Sequence, residues 1–438
     1  MYADPCAVSR DRYAADRAGR PQGGQRCAYA AGADAVSRSV IVVGGGASGL
    51  SAAIAAAEHG AAVTVLERLP RVGKKLLLTG NGRCNLGHEG FAWQHYHGTL
   101  PQGRRIMEQF DVKAYFRRFG LYTRTDSEGR IYPMSGTAAS VLDALRFAAA
   151  QRDVQTECGV QVTGLRHSGG KWAVQCGDAY YRADAVILAA GGAAAPSCGT
   201  DGSLFPILQK MGYTVTRLRP ALCPVPTDPA RVRALKGLRV RADVTARHGD
   251  RDLKTESGEV QFTDSALSGI CVFNLARYAA QYGDAAALSL DLLPDLDDAE
   301  TASLLKNLMR QRGTLPAGDL LTGLLPKRIA ETLIRQSGGS CNLPASECSG
   351  ETQRSLLRLL HDWTFPVTGC ASFTQAQVTA GGIAGQCVNR DLSSKLHSGL
   401  YFCGELLDLD GDCGGWNLTW CWASGRCAGE NAAKGEQT

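Results

Sequence analysis

The hydrophobic pattern over residues 40–67 passes from strand to helix to strand. Val40-Ile41-Val42-Val43 is an unbroken β-branched run, the signature of a strand buried on both faces. Leu50 to His59 is rich in alanine, and its small residues predict a helix lying close against a sheet, stopped by Gly60. Ala62-Val63-Thr64-Val65-Leu66 then reads as a second strand, ending in Glu67. Farther on, Ile106, Phe110, Ala114, Phe116 and Phe119 recur at helical spacings, so residues 103–150 are expected to be largely helical. From Cys158 the pattern turns to strands at Val160–Thr163, Lys171–Cys176 and Tyr180–Ala185, followed by a buried strand from Ala185 that runs out on Ala189-Ala190-Gly191-Gly192. Pro220, Pro224, Pro226 and Pro229 mark an exit from this first region. Strand-like alternation returns at Leu238–Thr245 and Gly258–Thr263, and a helix is expected from Leu267 to about Ala280. After Asp291 helical periodicity dominates, including Leu304–Met309 and Leu324–Ile334. Val378–Ile383 is a glycine-rich turn, Ser398–Glu405 a strand ending in glycine and acid, and Gly414–Leu418 opens a helix toward Ala433.

The first of these units carries chemistry. Gly44, Gly46 and Gly49 fall at the spacing G-x-G-x-x-G between strand and helix. The first glycine permits a tight turn, the second lets backbone approach a pyrophosphate, and the third allows close helix–strand packing. Ala47 and Ser48 open the helix, whose N-terminus would face phosphate charge. Glu67, about 20 residues beyond, is placed to accept ribose hydroxyls. Arg68, Arg71, Lys74 and Lys75 add positive charge beside the expected pyrophosphate, with Leu76 following them. Thr79-Gly80-Asn81-Gly82-Arg83-Cys84-Asn85 is a second glycine-rich loop, able to follow the extended part of a flavin or to serve as a polar surface loop. No second strand-linked G-x-G-x-x-G exists, so a second nucleotide domain is not expected.

Composition narrows the class without changing it. The 438 residues suffice for two or three domains, and with 20% charged and 44% apolar residues the chain is ordinary globular protein. A net charge of +5 without a basic aromatic tract gives no prior for nucleic acid. No apolar run reaches the ~20 residues of a membrane helix. The 16 cysteines include no C-x-x-C pair and the eight histidines no H-x-x-x-H, so neither a redox disulfide nor a metal site is expected. The cysteines read as small buried groups in a reducing cytoplasm. His95 and His97 are read as part of a solvated loop. Residues 1–38, rich in Ala, Arg, Asp and Gly, read as a disordered tail or an over-extended gene start.

Taken together, Gly44–Gly49, Gly73-Lys74-Lys75-Leu76-Leu77-Leu78-Thr79-Gly80-Asn81-Gly82-Arg83-Cys84-Asn85, Gly129–Ser135, Gly404-Glu405 and Gly414-Gly415-Trp416-Asn417-Leu418 resemble the YhiN/BaiN-like family of flavoproteins, also labelled aminoacetone-oxidase-type. The resemblance covers Ser39 to the C-terminus. It implies an α/β fold: a Rossmann-type FAD-binding domain built from both chain ends, residues 39–220 and 372–438, interrupted over 221–371 by a β-barrel-like and small helical substrate or lid insertion. It places Val162 against the adenine, Ala190, Gly191 and Gly192 near the adenosine–pyrophosphate half, and Glu405 where a carboxylate accepts ribityl hydroxyls. Gly414, Gly415, Asn417 and Leu418 would bring a helix N-terminus to the flavin edge. Trp416 and Thr419 stand where family members usually carry Tyr and Gln, so side-chain contacts inherited at those two positions are open.

The implied activity is that of an FAD-dependent oxidoreductase transferring hydride through flavin N5 to or from a small or medium organic substrate. Its most concrete form is reduction of an activated C=C bond, as in dehydro-bile-acid enones, with NAD(P)H as transient donor. An amine oxidase producing peroxide is the second form, and a flavin-binding protein acting on tRNA is the alternative of a different class. Arg83, Cys84 and Asp410 are candidate proton donors in loops expected to border the isoalloxazine, where each could equally hold its loop together. Adjacent Arg83 could lower the Cys84 pKa, but a structural or cofactor-contact role is preferred for Cys84. Tyr132 reads as a core aromatic in preference to a substrate contact. Neither the catalytic acid nor the oligomeric state is assigned.

Overall fold

The computed structural model describes residues 37–435, and the tail expected over 1–38 lies, but for its last two residues, outside them. Five strands form the central sheet: β1 (Ser39–Val43), β2 (Ala62–Glu67), β3 (Gln155–Cys158), β4 (Ala185–Leu188) and β5 (Leu400–Phe402). Their order is β5-β4-β1-β2-β3 and every pairing is parallel. The unbroken apolar runs explain the burial: Val40–Val43 and Ala185–Leu188 are covered on both faces, as a parallel sheet with crossovers requires. β5 comes from the far end of the chain, so the sheet closes only when both ends meet.

Two helices lock those ends together. α1 (Ala47–Glu58) follows β1, and α2 (Trp416–Lys434) packs along it. Gly425 and Gly429, one turn apart on α2, permit the contact, since a methyl group there would lie 2.3 Å from Ser48 O and 2.2 Å from Ala52 O. Ser51 Oγ donates to Trp422 O, and the Trp422 ring is fully buried against Phe116.

The strand expected at Val160–Thr163 is instead a connection between Gln155–Cys158 and the strand Gly164–Ser168. Its backbone bonds to the loop after β2, through Gly159 N–H to Leu69 O and Val160 N–H to Glu67 O, because it must cross from the edge of the central sheet to a separate three-stranded meander. Residues 103–150 are less helical than their spacing predicts. Short helices Gln102–Glu108 and Val112–Arg117 and the longer Ala138–Ala150 flank a small sheet in which Arg130–Pro133 pairs with Gly87–His88 and Thr123–Thr125.

The chain leaves toward the middle region along Arg219–Ala221 and returns antiparallel beside it along Val378–Ala380. Between them, six antiparallel strands run in the order Val225–Pro226, Ala266–Ser268, Arg251–Phe262, Arg239–His248, Ala286–Asp291, Trp363–Pro366. A bridge between Thr227 and Val367 joins the edge strands, so the sheet curls into a barrel-like form. The helix Ile270–Tyr282 packs on it, and Asp298–Arg312, Lys327–Gln336 and Gly350–His361 form a helical group sharing its core. No helix among the described residues is long and apolar enough to cross a membrane.

Candidate active site

The glycine turn sets the site. β1 ends at Val43, and α1 begins with Gly46 in the N-cap position and no capping side chain. Leu50 N–H, bonded to Gly46 O at 2.9 Å, opens the intrahelical ladder, which leaves the amides of the first turn for a ligand. Glu67 is buried and braces the turn: Gly45 N–H donates to its Oε2 and Leu69 N–H to its Oε1, both at 2.8 Å. Each carboxylate oxygen keeps a further lone pair for a hydroxyl donor.

These groups open onto a cavity of 780 Å³. It brings together Gly44, Gly46, Ala47, Ser48, Glu67 and Arg68 from the nucleotide motif with Lys74, Lys75, Leu76, Thr79, Gly80, Asn81, Arg83 and Asn85 from the second loop. Val162, Ala190, Gly191 and Gly192 also line it, as do Glu405, Gly414, Gly415, Asn417 and Leu418 from the last 40 residues. Phe273 and Ile270 reach it from the middle region. Four expected contacts are set back from the wall. Gly49 and Gly404 are packing positions: a methyl group at Gly404 would lie 2.4 Å from Ser48 Oγ. Gly82 is exposed elsewhere in its loop, and Cys84 is fully buried in the core with Leu86 and Phe116.

The expected cations are largely committed within the protein. Arg68 pairs with Asp201 at 2.7 Å, Lys74 Nζ donates to Ser197 O, and Lys75 Nζ donates to Glu405 Oε2 at 2.7 Å. Glu405 Oε1 accepts from Thr379 N–H, so this carboxylate ties two loops of the cavity together. The backbone amides of the first turn of α1, without a partner among the described residues, are thus donors that could receive a phosphate. A second uncapped helix start lies in the same cavity: α2 begins after Gly415 without a capping side chain, and Asn417 spends its own amide on Gly411. Two helix N-termini, the Glu67 acceptor and a buried Asn85 Oδ1 without a partner among the described residues form a donor and acceptor set that fits FAD.

Of the three candidate proton donors, Arg83 lines the cavity, and Cys84 and Asp410 lie behind its wall. Burial pushes the Cys84 thiol up to about 12, outweighing a hydrogen bond from Thr79, so Arg83 does not activate it. The Arg83 guanidinium lies 5.0 Å above the Tyr132 ring instead. Tyr132 is both buried and in the cavity wall, so the core role preferred from sequence and the cavity-facing one both apply. Native protein treated with iodoacetamide should label at exposed Cys158 and Cys370 and remain unmodified at Cys84, read by peptide mass spectrometry. Asp410 is buried away from the cavity wall and paired with Arg277 at 2.9 Å.

Sequence reading missed a histidine–carboxylate cluster. His95 Nδ1 lies 3.0 Å from Asp412 Oδ2, and His97 Nε2 lies 2.8 Å from Asp412 Oδ1. Burial would raise the Asp412 pKa, but His97 and then His95 outweigh it and hold the carboxyl below its ordinary value. The Trp416 ring is sandwiched between His88 and His95, with centroids at 4.5 and 4.6 Å. His95, Asp412 and Trp416 all line the cavity, so the loop read as solvated is part of the site. Over 300 residues of sequence separate the histidines from Asp412, and no local spacing announces the pairing.

A Rossmann-type sheet completed by both chain ends, with this cavity at its glycine turn, defines an FAD-dependent oxidoreductase. The chain belongs to the HI0933-like protein Rossmann domain family, which matches residues 38–431. It is 36% identical over 403 residues to the 3-dehydro-bile acid delta(4,6)-reductase of Clostridium scindens, spanning 90% of this chain and 98% of that one. It is 25% identical to the ribosomal RNA dihydrouridine synthase of Haemophilus influenzae and 26% to that of Escherichia coli. Those two alignments cover 88% of this chain and 96% and 95% of the relatives.

Proposed function

We propose that the enzyme reduces a C=C bond conjugated to a carbonyl in a small or medium organic molecule, with NAD(P)H as the hydride source. The observation that carries this reading is the alignment with the bile-acid reductase, which runs through nearly all of that relative. The dihydrouridine synthases point to the same bond type, since uracil also holds a C=C conjugated to a carbonyl. Bound FAD supplies two-electron hydride transfer. The uncapped first turn of α1 would hold an anionic group of the cofactor, and Glu67 would accept its hydroxyls. The first turn of α2 offers positive potential to charge that builds up in the cavity. The Lys75–Glu405–Thr379 link keeps the facing loops in register.

Anaerobic stopped-flow reduction of the purified yellow protein by NADH and NADPH, followed by reoxidation with a panel of enones, tests this reading. Reoxidation by at least one cyclic enone should outpace reoxidation by oxygen. Turnover of amines with peroxide release, and no response to NAD(P)H or enones, would make the enzyme an amine oxidase instead. The dihydrouridine relatives warrant an RNA arm: formation of dihydrouridine in ribosomal RNA, with no enone reduced, would move the substrate from small molecule to nucleic acid.

A further inference from the structure

We infer that His95 delivers the proton in this reduction, with Asp412 and Trp416 as positioning residues; the inference rests on the reading of the enzyme as a C=C reductase. Saturating an enone adds a hydride to the β-carbon and a proton to the α-carbon. The hydride is the contribution of the nicotinamide donor and the cofactor, so the proton comes from a group of the chain or from water that such a group positions.

Several of the acid–base groups lining the cavity have no proton-bearing atom to spare. Both oxygens of Glu67 accept backbone amides, and both oxygens of Glu405 are engaged by Lys75 and Thr379. Both ring nitrogens of His88 face carbonyl oxygens, of Glu89 at 2.8 Å and Glu128 at 2.9 Å. His95 differs. Its Nδ1–H donates to Asp412, its ring is stacked at 13° on Trp416, and its Nε2 has no protein partner among the described residues. Asp412 is itself buried and fixed from the other side by His97. The arrangement is that of an imidazole oriented by a carboxylate with its far nitrogen free in a cavity.

In the step, the Nε2–H bond of the imidazolium breaks and a C–H bond forms at the α-carbon. The ring is left neutral, its remaining proton on Nδ1 against Asp412. With 37% of the side chain exposed, His95 regains a proton from solvent before the next turnover.

The test compares the two half-reactions in FAD-loaded His95→Gln, Asp412→Asn and Tyr132→Phe, the last because the Tyr132 hydroxyl is a competing donor in the wall. His95→Gln should retain FAD and be reduced by NAD(P)H at a rate within about threefold of the parent, while enone reoxidation falls about 100-fold or more. Nitrogen-15 histidine NMR of the oxidised holoprotein supplies a readout independent of turnover: neutral His95 should carry its proton on Nδ1, and Asp412→Asn should shift it toward Nε2. Enone reoxidation of His95→Gln within about fivefold of a competent parent, or a loss confined to Tyr132→Phe, overturns the assignment. The opposite tautomer in the parent overturns the positioning role of Asp412. A parent that no enone reoxidises brings down the reductase reading first and this inference with it.

Discussion

Gly49→Val should fold poorly and purify without FAD, whereas Gly46→Val should fold and lose only the cofactor. The two glycines share one motif and do different work. A Cβ at Gly49 would lie 1.8 Å from Gly44 O and 3.3 Å from Ala189 Cβ, so α1 must move off β1 to admit any side chain. Overpacking of this kind typically costs ~1–3 kcal/mol, and here the displaced backbone is the nucleotide turn itself. At Gly46 nothing in the protein lies within 4 Å of an added Cβ, and its φ of −83° suits any residue. The new side chain would occupy the cavity. Thermal unfolding of the apoproteins separates the cases: Gly46→Val should melt near the parent, and Gly49→Val clearly below it. Equal FAD retention in Gly46→Val and parent would show that this turn does not approach the cofactor.

Arg277→Met should lose about 3–5 kcal/mol of stability near pH 7.5, and the loss should shrink on acidification. Arg277 lies on the helix Ile270–Tyr282, and its partner Asp410 lies on Leu409–Gly411, so the pair pins the middle region to the loop that carries Asp412. Asp410 is buried, and its Oδ1 has no partner among the described residues. Burial lifts its pKa from 3.8 to about 6, against the opposing pull of Arg277 and His97. A carboxyl with a raised folded pKa stabilises the fold fully below its unfolded pKa and loses that contribution as pH rises through about 6. Asp410→Asn should therefore gain on the parent between about pH 4 and pH 7, by up to roughly 3 kcal/mol at ~1.4 kcal/mol per unit. Urea unfolding of parent and both variants at pH 5 and 7.5 measures this. A pH-independent difference between parent and Asp410→Asn would show that Asp410 does not titrate in that window.

Much of the nucleotide half was legible because its signals are local. Val40–Val43 is apolar on both faces only if it is a central parallel strand, and glycines spaced for a turn can be counted. Val160–Thr163 misled because alternation reports burial, and Val162 is buried in a connection that bonds sideways to the β2 loop. Cys84 beside Arg83 left an activated thiol open behind the preferred structural role, and the fold decides between them by sending the neighbouring side chains in different directions, Cys84 into the core and Arg83 over Tyr132. His95 and His97 could not be recognised without Asp412, which the fold alone brings to them. Asp410, two residues from Asp412, showed the reverse: an acid in the right loop turned away toward Arg277.

Both ends of the chain build the cavity whose donors and acceptors fit FAD. Heat-denaturing the purified native protein and quantifying the released flavin by chromatography and fluorescence tests this directly. The predicted result is close to one FAD per chain, falling to none in Gly46→Val; protein that carries FMN, or takes up no flavin when incubated with FAD, would contradict it.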